Sequence, residues 1–583
     1  MRAGVEDEKS YQPLRLAAAP ARLARLGRMA LGKWTRRILW AAGALVALVA
    51  ALGLGAWLWL RAQVLDSGGP LRPRQAAYDV RRYDLAVAID PAARSLEGTN
   101  RATVATVAAL DAFEIQLDSR LAVRAARVDG TSAAFTHDEG LVTVALAAPW
   151  GAGERHEVEL AYGGRPKVAA KPPWLDGLVW EETPSGAPWL GVTVQADGAD
   201  DWWPAKDHPS DEPDEGMSIA LTLPSGLVGL SNGRKTGESA NADGTTTTRW
   251  EVGYPINNYL VTFNAAPYVP IEATYRGVDG TLDERIVFWA IPEHVEKARA
   301  LWSAQGARIL EVLGRRFGEY PFLSDKFWVA EAPYLGMEHQ TLVAYGAKFE
   351  DNEFGFDGLL LHEIAHEWWG NKITARDWSD FWLHEGFGTY AEAVYVLDTL
   401  GEERYLEYMR RIARRTRNRT PIVQGDDLTA AAAYTGDIYG KGACVLHTLR
   451  WLLGDEAFFA ALARFAADAP YAYGLVETED FERLVADLHG REIPWFWERY
   501  LRRAALPRWT LARAPAAAGR ETVTIAWDDP AFELPLPVVV AGEERRVEMP
   551  GGRASFEVAA GAAVEIDPGW RVLAARPRPP RKG

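Results

Sequence analysis

The chain has 583 residues, 48% hydrophobic and 25% charged, which excludes a disordered or fibrous protein and exceeds what one hydrophobic core can organise. The formal net charge is −15; the first 37 residues carry nine Lys/Arg against three Asp/Glu, so the remainder is near −21 and argues against nucleic acid as a partner. The one cysteine, Cys444, rules out an intrachain disulfide and is read as a small buried apolar residue.

In chain order, residues 1–37 form a basic segment read as cytoplasmic, and Ile38–Leu60 is a run of 23 residues without a charge. At about 1.5 Å per residue, a helix of that length covers a hydrocarbon core of about 30 Å. Lys33, Arg36 and Arg37 precede it and Arg61 alone follows closely. That bias predicts an uncleaved transmembrane anchor, with the N-terminus cytoplasmic and the body periplasmic or extracellular. A cleaved signal peptide is the rival reading. Residues 61–77, with Gly68, Gly69, Pro70 and Pro73, read as a linker.

The pattern then shortens to a period of two. Tyr83, Leu85, Val87 and Ile89 share one strand face. Further strands are expected at Ala102–Val107, Phe113–Leu117, Leu141–Leu146, His156–Tyr162, Ser218–Leu223, Thr246–Val252 and Tyr259–Phe263, making 78–270 a β-rich domain. Residues 271–506 form a mostly α region, with helices expected over Pro292–Phe317, Tyr405–Arg417, Ala443–Leu453, Glu456–Ala467 and Thr478–His489. Strands return over 507–573, as at Thr522–Trp527 and Leu534–Val540, enough for a small C-terminal β-sandwich. Residues 574–583 are basic and proline-rich and read as a disordered tail. The fold class is thus multidomain α+β. The 24 tryptophans, many in pairs, read mainly as core, with some left to line a cleft.

Residues 359–371 read LLLHEIAHEWWGN. His362 and His366 are four apart, so a helix puts both imidazoles on one face within reach of one Zn²⁺. Glu363, beside them, suits a base acting on a zinc-activated water. Glu385, in LHEGF, follows His366 by 19 residues. Ser379 or Asp380 can cap a second helix running to Leu400 with Gly401 at its end, and an antiparallel return brings Glu385 to the pair. Two His, one Glu and an open position make a catalytic rather than a structural zinc site, with one ion per chain. Asp380 is either a group orienting a ligand His or a plain cap. His384 is a substrate contact or a helix-surface histidine.

These motifs resemble the aminopeptidase N family of zinc metallopeptidases, which belongs to the gluzincins, and the resemblance covers about 78–573. It implies a thermolysin-like catalytic domain and peptide substrates with a free N-terminus. Leu335-Gly336-Met337-Glu338-His339 is similar to the family's Gly-any-Met-Glu-Asn segment. By that resemblance Gly336, Met337 and Glu338 bind substrate, and Glu338 takes the α-amino group; Leu335 and His339 depart from the pattern. Tyr439, in IYGKGACVL, matches the family tyrosine that supports the oxyanion. Tyr434 competes for that role but lacks the motif that follows. Gln195 falls where the family has a second amine-binding residue, whereas Thr193 carries nothing over. The expected function is a membrane-anchored zinc aminopeptidase. The alternatives are a zinc endopeptidase or other zinc hydrolase on the same scaffold, and a non-catalytic membrane-anchored binding protein with a vestigial zinc site. The preferred N-terminal residue, the natural substrate and the oligomeric state stay open.

Overall fold

The structure is a computed structural model; it describes residues 66–576 together with Ile38, Trp40, Ala41, Ala42, Leu45 and Val46. Those six are helical and exposed. Among the described residues no helix is long and apolar enough to cross a membrane. This corrects the expected transmembrane anchor at Ile38–Leu60, and with it the single-pass placement, the cytoplasmic N-terminus and the periplasmic or extracellular body. Apolar composition measures the ability to enter hydrocarbon. Crossing also requires about 20 consecutive helical residues, and most of this stretch lies outside the described residues. The expected tail from 574 is likewise largely outside them, at 577–583.

The N-terminal part of the body is built on an eight-stranded sheet whose centre is Tyr78–Asp90. That strand pairs antiparallel with Ser95–Thr106 and parallel with Met217–Pro224. Tyr83, Leu85, Val87 and Ile89 are all buried, as their period of two requires. A bulge between Val80 and Arg82 shifts the alternation by one residue, so Val80 and Tyr83 both face inward. A four-stranded sheet follows, ordered Val228–Ser231, Phe263–Ala266, Pro188–Thr193, Gly177–Glu182. The strand expected at Tyr259–Phe263 begins instead with a 3-10 turn, Asn258–Leu260, which frees Tyr259 from the sheet.

A five-stranded mixed sheet opens the catalytic region: Val269–Tyr275, Glu284–Ala290, Trp328–Glu331, Leu342–Tyr345, and at its edge Gly336–Met337. The helix Val295–Phe317 packs on it through Ala298, Leu301, Trp302, Ile309, Leu313 and Phe317, one apolar stripe at helical spacing. Beyond it come Gly358–Ala365, Trp382–Leu400, Glu402–Ala413, Asp437–Leu453, Asp455–Ala467 and Thr478–His489. The helices Trp382–Leu400 and Asp437–Leu453 cross where Gly386 meets Gly442. A Cβ on Gly386 would stand 3.0 Å from the Gly442 Cα and 3.0 Å from the Ile438 carbonyl oxygen. Gly386→Ala is therefore expected to force the helices apart and cost about 1–3 kcal/mol of stability, read as a lowered Tm.

Two three-stranded sheets complete the body: Trp509–Pro515, Arg520–Trp527 and Arg553–Ala559, then Glu543–Val547, Leu536–Val540 and Val564–Ile566. Val523, Ile525, Leu536 and Val538 are buried. At the other end of the chain, residues read as a linker are tied down. Ser67 N–H donates to the Ala196 carbonyl (3.2 Å), Ala430 N–H to the Ser67 carbonyl (2.9 Å), and Gly69 N–H to the Leu428 carbonyl (3.0 Å). The Ser67 hydroxyl donates to Asp207 (3.0 Å). Gly68 has φ 85°, and a Cβ there would strike the Trp378 ring, so this strap passes close over the catalytic helices.

Candidate active site

Asp357 caps the helix Gly358–Ala365 by accepting from the Leu360 N–H at 3.0 Å. His362 lies in the last turn of that helix and His366 at its C-cap. Each imidazole is held through Nδ1. His366 donates to the Trp369 carbonyl at 2.8 Å, and His362 donates to Glu392 Oε1 at 3.0 Å. This fixes the tautomer and turns both Nε2 atoms inward, 3.2 Å apart. Glu385, from the first turn of Trp382–Leu400, places Oε2 at 3.4 and 3.5 Å from those nitrogens. One ligand atom from each of His362, His366 and Glu385 lies within 4.8 Å of the others.

Glu385 Oε2 is buried and makes no hydrogen bond among the described residues. A buried acceptor without a partner, facing two imidazole nitrogens, suits a cation. Burial works to raise the Glu385 carboxyl, but His362 and His366 outweigh it and hold it well below the usual carboxylate range. The donor set, two nitrogens and one oxygen with no sulfur, fits a Zn²⁺ site that keeps a position open.

Glu392 is the carboxylate that orients a ligand histidine. It sits two helical turns after Glu385, and the Tyr408 hydroxyl holds its other oxygen. Asp380 does not reach a ligand; it accepts from the Thr478 N–H (3.1 Å) and hydroxyl (2.6 Å). Asp377, rather than Ser379 or Asp380, caps the turn before the helix. Glu392→Ala is expected to weaken zinc binding about 10–100-fold, measured by competition with a chromogenic chelator.

Glu363 is 7% exposed and packs against the edge strand, where a Cβ on Gly336 would come within 2.6 Å of its Oε1. Glycine at 336 is thus the opening through which this carboxylate reaches the cleft. Burial pushes the Glu363 carboxyl up to about 8; a dication in the triad pulls it back down.

Glu338 follows the edge strand and is 4% exposed. Gln195 Nε2 donates to its Oε1 at 2.5 Å, and the Tyr259 hydroxyl donates to the same oxygen at 3.2 Å. His384 is neither a surface residue nor a lining one. It is fully buried, accepts from the Ala375 N–H at Nε2 (2.8 Å) and faces Tyr259 with Nδ1 (3.3 Å). Burial takes its imidazole down to about 3, so the neutral ring orients Tyr259. The turn after the ligand helix steadies the same segment: Asn371 donates to the Glu338 carbonyl (2.9 Å), and Glu367 accepts from the Thr341 N–H (2.9 Å). The Gln195 loop is held by Asp176, which accepts from the Ala196 and Asp197 amides at 2.6 and 2.9 Å. His339 is fully buried and packs behind the cleft, whereas Leu335 lines it.

Tyr439 stacks near His362, with ring centroids 6.0 Å apart. Its hydroxyl is hydrogen-bonded to that of Tyr434, which also lies 2.9 Å from Glu385 Oε1 and 3.3 Å from Gln195 Oε1. Both tyrosines therefore face the candidate site. All these groups except Tyr259, His384 and the outer supports line one cavity of about 400 Å³, which also includes Gly336 and Met337.

Residues 308–500 match the Peptidase family M1 domain. The chain is 25% identical over 437 residues to "Aminopeptidase B" of Mus musculus, covering 67% of this chain and 62% of that protein. It is 30% identical over 238 residues to "Leucine aminopeptidase 2" of Vanderwaltozyma polyspora, covering 39% of this chain and 33% of that protein. The chain thus spans less than two thirds of the length of these relatives. Among solved structures, the M1 zinc metallopeptidase of Deinococcus radiodurans superposes with a TM-score of 0.63 at 25% identity, over 76% of this chain and 98% of that one. A mutant of it bound to a Tyr-Ser-Ala substrate matches equally well over 99% of its chain. Motifs, fold and relatives point the same way: residues 308–500 match the M1 peptidase domain, and the chain resembles the aminopeptidase N-like zinc metallopeptidases.

Proposed function

We propose that the protein is an aminopeptidase that hydrolyses the first peptide bond of peptides with a free N-terminus. The observation that carries this reading is Glu338: a buried carboxylate beside the metal group, outside its ligand set, oriented by Gln195 and Tyr259. Glu338, Glu363 and Glu385 line the same cavity. A dication offsets two of their charges, and a substrate ammonium at Glu338 offsets the third. A chain passing through the site without an amino terminus would leave one buried carboxylate unbalanced, which disfavours an endopeptidase. The relatives named as aminopeptidases and the neighbour bound to a Tyr-Ser-Ala substrate support the same class.

His362, His366 and Glu385 would hold the zinc, which when bound polarises the scissile carbonyl and acidifies a water. Glu363 accepts the proton of the attacking water and delivers it to the departing amine. Tyr439 donates its hydroxyl proton toward the carbonyl oxygen as negative charge grows there, and Tyr434 positions it. Glu338, with Gln195, fixes the ammonium and so selects which bond reaches the metal. Gly336 and Met337 form the edge along which the peptide lies. The test is to incubate the zinc-loaded protein with a peptide of mixed sequence and follow products by mass spectrometry. Stepwise loss of single N-terminal residues, abolished by chelation and restored by zinc, is expected. Internal cleavage, or no zinc-dependent cleavage, would sink the proposal.

A further inference from the structure

We infer that the exposed end of the cleft is a subsite for an apolar side chain on the residue that follows the scissile bond, built by Trp174 and Leu335. This rests on the aminopeptidase reading and adds a substrate preference to it. The lining of the cleft is unevenly exposed: Glu338, Gln195, His366 and Glu385 are each less than a tenth exposed, whereas Trp174 is 53% and Leu335 42% exposed.

Large apolar side chains in the rest of the body are mostly covered. Trp202, Trp203, Trp368, Trp369, Trp378 and Trp382 are all nearly inaccessible. Two exposed ones on a single cavity mark a surface completed by a ligand. Both are anchored. Trp174 sits on a turn in which its N–H donates to the Lys171 carbonyl at 2.9 Å, and the Lys171 ammonium lies 5.0 Å from its ring centroid. The Leu335 carbonyl accepts from the Gly346 N–H at 2.7 Å, fixing the residue beside the edge strand.

Direction follows from the amine site. With the ammonium at Glu338, the first residue occupies the space between that carboxylate and the triad. Leu335 stands three residues from Glu338, about 10 Å along an extended backbone. A peptide running outward along Gly336–Met337 advances about 3.3 Å per residue, so the side chain beyond the metal reaches the Leu335 end. Apart from Glu338, Glu363 and the metal ligands, every side chain lining the cavity is uncharged, which favours Leu or Phe there over Glu.

The test uses dipeptide amides with alanine first and Gly, Glu, Leu or Phe second, assayed with the zinc-loaded protein. We expect kcat/KM for Ala-Phe to exceed that for Ala-Gly by about tenfold or more. In Trp174→Ala this ratio is expected to fall about tenfold, and in Leu335→Gly to fall in part. A ratio is insensitive to loss of folded protein. A flat series in the wild type, or an unchanged ratio in Trp174→Ala, overturns the subsite while leaving the aminopeptidase reading intact. A changed first-residue preference in Trp174→Ala, read from Phe-Gly against Ala-Gly, assigns the wall to the first side chain and also overturns it. No cleavage of any dipeptide by zinc-loaded wild type defeats the aminopeptidase reading itself.

Discussion

Glu363→Gln is expected to retain zinc and lose about a thousandfold or more in kcat, within the range set by a positioned acid–base group. The amide is nearly isosteric, and Glu363 is not among the three ligand residues, so metal content measured by atomic absorption should stay near one per chain. The carboxylate lies in a tight place, with Gly336 on one side and His362 next in the chain. An amide there cannot accept a proton from water, and no other free carboxylate of the cavity stands in that position; Glu338 is engaged by Gln195 and Tyr259. Near-normal turnover by this variant would remove Glu363 from the reaction.

Glu338→Ala is expected to reduce kcat/KM for free peptides by about 100–1000-fold, because a buried charge partner of the ammonium is lost. The more telling readout is a comparison. Wild type should reject Nα-acetylated peptides by a similar factor, and the variant should discriminate far less between acetylated and free substrates. A variant that still rejects acetylated peptides as strongly as wild type would move amine recognition to another group. Zinc content should be unchanged, which separates this effect from damage to the triad.

That His362, His366 and Glu385 would come together was readable because the information is local. A spacing of four on one helix and a return helix ending at Gly401 are short-range patterns, and the structure ends that helix at Leu400 with Gly401 as its cap. The buried face of Tyr78–Asp90 was readable for the same reason. What escaped was held together across the chain. Glu392 is at helical spacing from Glu385, yet nothing local distinguishes it from a surface glutamate; its role appears only when His362 arrives from another helix. Tyr259 looked like strand until the turn Asn258–Leu260 aimed it at Glu338. Nothing local marks Asn371 and Glu367 either: their partners are the carbonyl and amide of a segment some thirty residues upstream. Glycine and proline made residues 61–77 look like a linker, whereas the strap's bonds run to positions far along the chain. The apolar run Ile38–Leu60 is a different case: hydropathy reports composition, and among the described residues no helix is long and apolar enough to span a membrane.

That strap bears on how the protein is made. Ser67 and Gly69 emerge from the ribosome early, while their partners Ala430 and Leu428 follow about 360 residues later. At about 5–20 residues per second the interval is roughly 20–70 s. A chain stalled before residue 428 already holds His362, His366 and Glu385, but it lacks Tyr434, Tyr439 and the segment at 428–430 to which Ser67 and Gly69 bond. The cleft is therefore completed only after Tyr439 is made, well after the candidate metal ligands, so a product truncated before residue 428 is expected to carry those ligands without a working cleft.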